Sequence, residues 1–341
     1  MRGIIGKIKG LFPVTLANAV YVDGTNKTLA DAMEEGALGE IGKSATIKDN
    51  VYVDYDIVTI GGSRRAEHDC TVIGSDIVSF NKNQGDGNGG IYYTDLATMS
   101  TPLVKYHNFV EGNGAILEMK SVDYKYDKLL VGNGKASYDP EYGRLYVFYE
   151  ADAWKASEIG TTSNRITFET CGEYKEIDVT SLGGKTYGFW GNGNDIVFVT
   201  ANLFNDIYRI QLARGSTQWD GGTFAENTAS DKYNGTWQIL NHWHQDGALG
   251  AQSPHGGQYY KGHLYLADNH GSKNTIYRCI FRDNGALEFQ PLNLDRRAVD
   301  GTMLYWNPDG VCIHDGKMYV QPLQHHSSVY GAVDLVFDIP V

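Results

Sequence analysis

The sequence predicts an all-β fold, a five-bladed β-propeller, and three observations carry that expectation. A segment recurs five times: a polar or glycine turn, an alternating apolar strand, a variable loop and a second strand. The first strands fall at residues 76–80, 144–148, 195–199, 263–266 and 317–320, the second at 91–93, 165–168, 206–210, 275–279 and 334–337. Successive units lie roughly 50 to 70 residues apart, a period that marks solenoids, arrays and propellers. The strands alternate with period two and no helical stretch separates them, which selects the radial β arrangement. Finally, 41 glycines and 23 tyrosines against eight prolines suit tight turns between half-buried aromatic strands.

Residues 1–48 stand apart from the repeat. A mixed apolar piece ends at an Asp23-Gly24 turn, and Thr28 with Asp31 resembles a capping box. Leu29, Ala32, Met33 and Leu38 lie near helical spacing, predicting a short helix that is unstable alone and needs a partner surface. The propeller is expected over residues 49–341. Outer strands are placed at 103–106, 174–177, 237–240 and 287–289, and innermost strands at 70–73, 135–138, 187–190, 256–260 and 310–314. The last unit runs to Val341 without room for a fourth strand. Residues 51–58 therefore fill that position and leave no open edge. Residues 138–143 lengthen the first hairpin of blade 2.

The formal net charge of -12 argues against nucleic acid, whose phosphates need clustered Lys and Arg, and against docking on anionic membranes. No run approaches the ~18 apolar residues of a membrane span. The N-terminus lacks the apolar stretch of a signal peptide. Cys70, Cys171, Cys279 and Cys312 form neither a CxxC pair nor a zinc spacing, so reduced core thiols and no metal are expected. The glycine turns at 132–134 and 191–193 open no helix, hence no phosphate cradle and no cofactor.

In a propeller the starts of the innermost strands share a face with the loops after the second strands. Alignment of the repeats puts His68 or Asp69, Lys135, Tyr187, His255 and Asp309 around one channel mouth. Loops add Asp152, Trp154, Asp268, His270, His325 and His326, and the connections entering blades 4 and 5 add Trp243, His244 and Trp306. Indole and imidazole rings beside carboxylates suit sugars, which present C–H faces and hydroxyls. The expected ligand-binding set is Trp243, His255, Asp268, His270, Trp306, Asp309 and His325, where blades 4 and 5 meet. Trp219, in the long loop on the opposite face, is the second place. His242 and His244 fit hydrogen bonding better than a metal, because an i, i+2 pair in a loop guarantees no ligand geometry. Residues 86–90 have oxygen donors but lack the full calcium-loop pattern. No nucleophile elbow is present. The catalytic option is a carboxylate pair, Asp69 with Asp309, because glycoside hydrolysis needs two acids about 5 to 9.5 Å apart.

Phe12-Pro13-Val14-Thr15-Leu16-Ala17-Asn18-Ala19-Val20-Tyr21, then Asp23-Gly24 and Thr28-Leu29-Ala30-Asp31-Ala32-Met33, resembles the N-terminal segment of bacteriophage tail-fibre and baseplate proteins. The resemblance covers residues 11–38. It implies a virion-attachment segment, a trimer, other tail proteins as partners, and synthesis in the bacterial cytoplasm without a leader. The propeller would be the distal module that meets the host. No coiled-coil or β-helical shaft joins the two parts. The expectation is a receptor-binding protein for a host-surface glycan. The alternatives are a propeller glycoside hydrolase and a structural tail component.

Overall fold

The computed structural model describes residues 45–340 apart from 63–68, 82–88, 108–118, 134–142, 162, 184–187, 194, 202–204, 217–229, 245–253, 269–274, 283–284, 298–300, 302, 305 and 323–331. Five four-stranded antiparallel units stand in a ring. From the axis outward, blade 1 is Asp69–Ile73, Asp76–Asn81, Gly89–Asp95 and Ser100–His107. Blade 2 is Met119–Lys125, Lys128–Asn133, Arg144–Phe148 and Tyr174–Asp178. Blade 3 is Gly188–Gly193, Ile196–Ala201, Asp206–Arg214 and Tyr233–His244. Blade 4 is Pro254–Tyr260, His263–Asp268, Thr275–Phe281 and Leu287–Asn293. Blade 5 is Pro308–His314, Lys317–Pro322 and Val333–Asp338, completed by Asp56–Thr59 from the N-terminal side of the chain. The innermost strands touch in the order 1-2-3-4-5-1, closing the ring.

Blade 2 departs from the sequence expectation by one strand. Arg144–Phe148 is its third strand, not its second, and residues 165–168 make no blade strand. The stretch expected as its innermost strand, 135–138, lies outside the described residues. The first hairpin turns at Tyr126 (φ 51°) and Asp127 (φ 57°). Positive φ at both central positions is the hairpin turn that matches strand twist. The same turn at Lys261-Gly262 and Asp315-Gly316 carries glycine, which adopts it without strain. Residues 149–173 instead form an insertion clipped onto blade 1. The Tyr106 N–H donates to Gly160 O at 2.6 Å, Ile166 N–H to Tyr106 O at 3.1 Å, and Lys155 pairs with Asp76. Trp154, expected in an exposed loop, is 5% exposed; its Nε1–H donates to Cys171 O at 2.9 Å.

The segment from residue 45 to 62 is a belt across three blades. Ala45–Ile47 and Val51–Tyr52 run parallel to the outer strand of blade 4. Asp56–Thr59 then closes blade 5, as the missing-strand argument requires, but the closing strand is shorter than the expected 51–58, whose first two residues pair with blade 4. Gly61–Gly62 runs parallel to the outer strand of blade 1. The expected boundary after residue 48 thus cuts the belt, while residues 1–44, including the expected helix, lie outside the described residues.

Each seam between blades has its own apolar core. The largest clusters join blades 4 and 5, where Val53 and Tyr55 of the belt enter, and blades 1 and 2, where the insertion contributes Trp154 and Ile166. Two more fill the seams 2–3 and 3–4. The seam between blades 5 and 1, where the two ends of the ring meet, has a small core of Cys70, Ile77 and Cys312. Polar lacing reinforces it. The Val311 N–H donates to Asp69 Oδ1 at 3.3 Å and Gln321 Nε2 donates to Ser79 Oγ at 2.8 Å. Elsewhere along the axis, Val122 N–H donates to Asp69 Oδ2 and Gly191 N–H to Asp123 Oδ2, each at 2.8 Å. Gln258 donates to Asp123 Oδ1 at 3.3 Å and accepts from Ile313 N–H. Inner-strand side chains thus hold the backbone of neighbouring blades.

Candidate functional site

That lacing decides the role of the axial carboxylates. Asp69 is 0% exposed, and its carboxylate accepts N–H bonds from three backbone positions, Cys70 (2.8 Å), Val122 and Val311. Asp309 is 1% exposed. At this level blades 4, 5 and 1 meet backbone to backbone. A Cβ on Gly256 would fall far inside contact distance of the Asp309 carbonyl oxygen, 2.7 Å from Asp69 Oδ1 and 2.9 Å from Gly310 Cα. Asp69 and Asp309, the expected catalytic alternative, are therefore buried at packed joints of the ring. Burial likewise pushes the Asp123 carboxyl above the usual carboxylate range, against the opposing effects of Lys125, the Gly191 N–H and Gln258.

The two tryptophans expected as exposed platforms are both buried. Trp306 is 2% exposed, donates from Nε1 to the Tyr55 hydroxyl and meets that ring edge-on at 6.4 Å. It anchors the belt. Trp243 belongs to the outer strand of blade 3 opposite Ile207, not to the connection entering blade 4, and is 6% exposed. His255 and Asp268 lie on the first two strands of blade 4, with their side chains outside the described residues. His270 and His325 are also outside them, as is Trp219. His242 and His244 both bond Oδ1 of Asp206, at 2.6 and 2.9 Å, and His242 stacks on Tyr208 at 4.2 Å. Among the described residues no group of three or more His, Cys, Asp and Glu is placed to hold a metal ion.

What the structure brings together is a cleft between blades 3 and 4, of about 460 Å³, in the size range of small-ligand sites. Its walls include Phe198, Arg209, Asn241 and Trp243 from blade 3, and Tyr259, Phe281 and Arg282 from blade 4. It opens on the side of the Lys261-Gly262 turn, where Arg282 and Gly285 also line it, opposite the expected channel mouth. The glycines on its rim, Gly262 and Gly285, leave open space where a side chain would stand.

A register irregularity in blade 3 builds this wall. Arg209 pairs with Asn241 but Ile210 pairs with Ile239, leaving Leu240 as one extra residue on the outer strand. Without it, Trp237 and Trp243, six residues apart, would share a face. With it, Trp237 packs toward blade 2 and Trp243 toward blade 4. Bulges of this kind re-aim side chains near sites. Phe281 stacks on Phe198 at 4.8 Å and lies 4.4 Å from the Trp243 ring, so the apolar wall is continuous across the seam.

The charges in the cleft are unequal in their partners. Arg282 is held by Glu288 through Nε and Nη2 at 3.1 and 2.7 Å, and Lys48 of the belt reaches the same carboxylate at 3.0 Å. These bonds hold the Glu288 carboxyl below its ordinary range. Arg209 has no carboxylate partner among the described residues. Its Nη1 is 3.4 Å from Asn241 Oδ1, and its Nε is buried without a hydrogen-bond partner. None of Arg209, Asn241, Phe281 and Arg282 was expected from the sequence.

Fold and cleft together define a class, the five-bladed β-propeller. No family model matches the chain, and no curated protein does. Solved structures similar to it include a streptogramin B lyase at 10% identity, covering 84% of this chain and 98% of that one with a TM-score of 0.39. Another is the PQQ-bound aldose sugar dehydrogenase of Streptomyces coelicolor, at 10% identity, 84% and 98% coverage and a TM-score of 0.36. A third is the β-propeller domain of Myceliophteria thermophila Cps50 (Swd1), at 11% identity, 88% and 98% coverage and a TM-score of 0.39. At such scores these likenesses carry no argument about function.

Proposed function

We propose that this propeller is the receptor-binding module of a phage tail protein and recognises a host-surface glycan. The observation that carries the reading is the cleft between blades 3 and 4. Half-buried Phe281 and Tyr259, backed by the buried Trp243, stand beside guanidinium and amide groups on a rigid sheet. Rings supply contact area against sugar C–H faces, and convergent polar groups select hydroxyl orientation. The resemblance of residues 11–38 to tail-fibre N-termini supports the viral setting. In this reading the N-terminal segment, residues 1–48, attaches the protein to other tail components and trimerises it, so that several weak sites act together.

The hydrolase alternative rested on Asp69 and Asp309, which are buried in the ring. In this reading the protein binds glycan and leaves it intact. Full-length protein passed over immobilised bacterial surface polysaccharides should be retained by some of them without releasing reducing ends. Asn241→Trp, at an exposed position on the rim, should fill the cleft and abolish retention. Unchanged retention by that variant would move the site elsewhere, and released reducing ends would make the protein an enzyme.

A further inference from the structure

We infer that the cleft between blades 3 and 4 selects an anionic sugar residue, whose carboxylate or phosphate ester is taken by Arg209; this rests on the glycan-binding reading above. The starting point is an imbalance. The chain carries twelve more acidic than basic charges, yet Arg209 stands in a cleft wall with no carboxylate partner among the described residues. The other guanidinium of the cleft is already committed, since Arg282 is spent on Glu288.

Arg209 faces the cleft because of its register. It lies opposite Phe198 on one side and Asn241 on the other, on the face of blade 3 that carries Ile207 and Trp243. The irregularity at Leu240 fixes this phase for Asn241 and Trp243 in the outer strand. One donor of its guanidinium, Nε, is buried without an acceptor, and a second has only a long contact to an amide oxygen. A guanidinium is always charged and presents its donors in a planar fork that matches carboxylate or phosphate oxygens. Leaving such donors without an acceptor in a partly dry site is unfavourable. An anion entering the cleft meets the Nη end of the guanidinium, where Nη1 has only the long Asn241 contact, so the binding energy is largest for a ligand that brings oxygens to that end. Next to it, the half-buried rings of Phe281 and Tyr259 offer apolar surface, and Asn241 offers an amide able both to donate and to accept. The combination fits a ring-bearing anion better than a free inorganic one.

The test is ligand-observed NMR on the full-length protein with glucuronic acid, glucose 6-phosphate and glucose. One or both anionic sugars should bind, more tightly than glucose, and the two arms separate a carboxylate from a phosphate preference. Arg209→Gln, which keeps most of the side chain's bulk, should retain the parent melting transition and weaken anionic binding about tenfold to a hundredfold, a larger loss than it causes for glucose. Arg209→Lys should recover only part of the loss, because an ammonium lacks the fork. Glucose binding as tightly as the anions, and lost in Asn241→Trp, would overturn the anionic class while leaving the glycan reading in place. Anionic binding unaltered in a folded Arg209→Gln would overturn the role of Arg209. No binding of any of the three sugars would overturn the inference, and the retention assay on polysaccharides would then decide the broader reading by itself.

Discussion

Replacing Asp69 by alanine should come close to unfolding the ring, and the magnitude follows from its partners. The carboxylate accepts backbone N–H bonds from Cys70 and Val122 at 2.8 Å and from Val311 at 3.3 Å, all in a site with no exposure. Alanine leaves three buried donors with nothing to bond. A buried orphan donor costs about 1–3 kcal/mol, so the two short bonds and the longer one together come to about 3–9 kcal/mol, less whatever an entering water returns. Domains of ordinary stability hold about 5–15 kcal/mol in all. The loss also falls where the ring can least bear it, since Val311 belongs to blade 5 and the seam between blades 5 and 1 has a small apolar core. Asp69→Asn keeps one acceptor oxygen but turns an amide toward donors, so it should lose less than alanine. Urea titrations followed by far-ultraviolet circular dichroism give both values. A catalytic Asp69 predicts the reverse, with stability kept and a hydrolytic activity lost in Asp69→Asn. An alanine variant within about 0.5 kcal/mol of the parent, the scatter of ordinary surface substitutions, would refute the lacing argument.

A chain starting at Arg64 lacks the belt and should lose cooperative unfolding, whereas one starting at Val51 keeps the closing strand of blade 5 and should fold; equal transitions in calorimetry would contradict this. Gly256→Ala forces a methyl against the Asp309 carbonyl and Gly310, and should cost about 1–3 kcal/mol in urea unfolding, as overpacking does. His263 is held below its ordinary pKa of 6.5 by partial burial first and by the Arg278 charge second. Its contribution to stability is therefore present above pH 6.5 and lost as the pH falls through the lower folded value. His263→Gln should flatten that part of the pH–stability curve, read from urea midpoints between pH 8 and 5.

The blade order was legible wherever the hairpin turn and the strand alternation agreed, as at Lys261-Gly262 before Leu264 and Leu266, or Asp315-Gly316 before Met318 and Val320. Blade 2 was misread because its hairpin turns on Tyr126 and Asp127, two residues without the glycine signal. Its second strand also carries Leu129, Leu130 and Val131 in a row, buried on both faces and so without alternation. The closing strand could be inferred because a missing fourth strand is a count. The burial of Trp306 could not, since its partner Tyr55 is 251 positions away. The cleft was hidden for a different reason. One extra residue at Leu240 reverses the facing of everything after it in that strand, and a register shift of one leaves no mark in composition or period.

The most direct test of the whole account is binding of fluorescently labelled full-length protein to intact cells of a panel of bacterial strains, before and after periodate oxidation of their surface sugars. Saturable binding to susceptible strains, abolished by periodate and by Asn241→Trp, with no reducing ends released, is the expected result. Binding that survives periodate, or that is accompanied by cleavage of the surface polysaccharide, would contradict a propeller that recognises glycan through the cleft between blades 3 and 4.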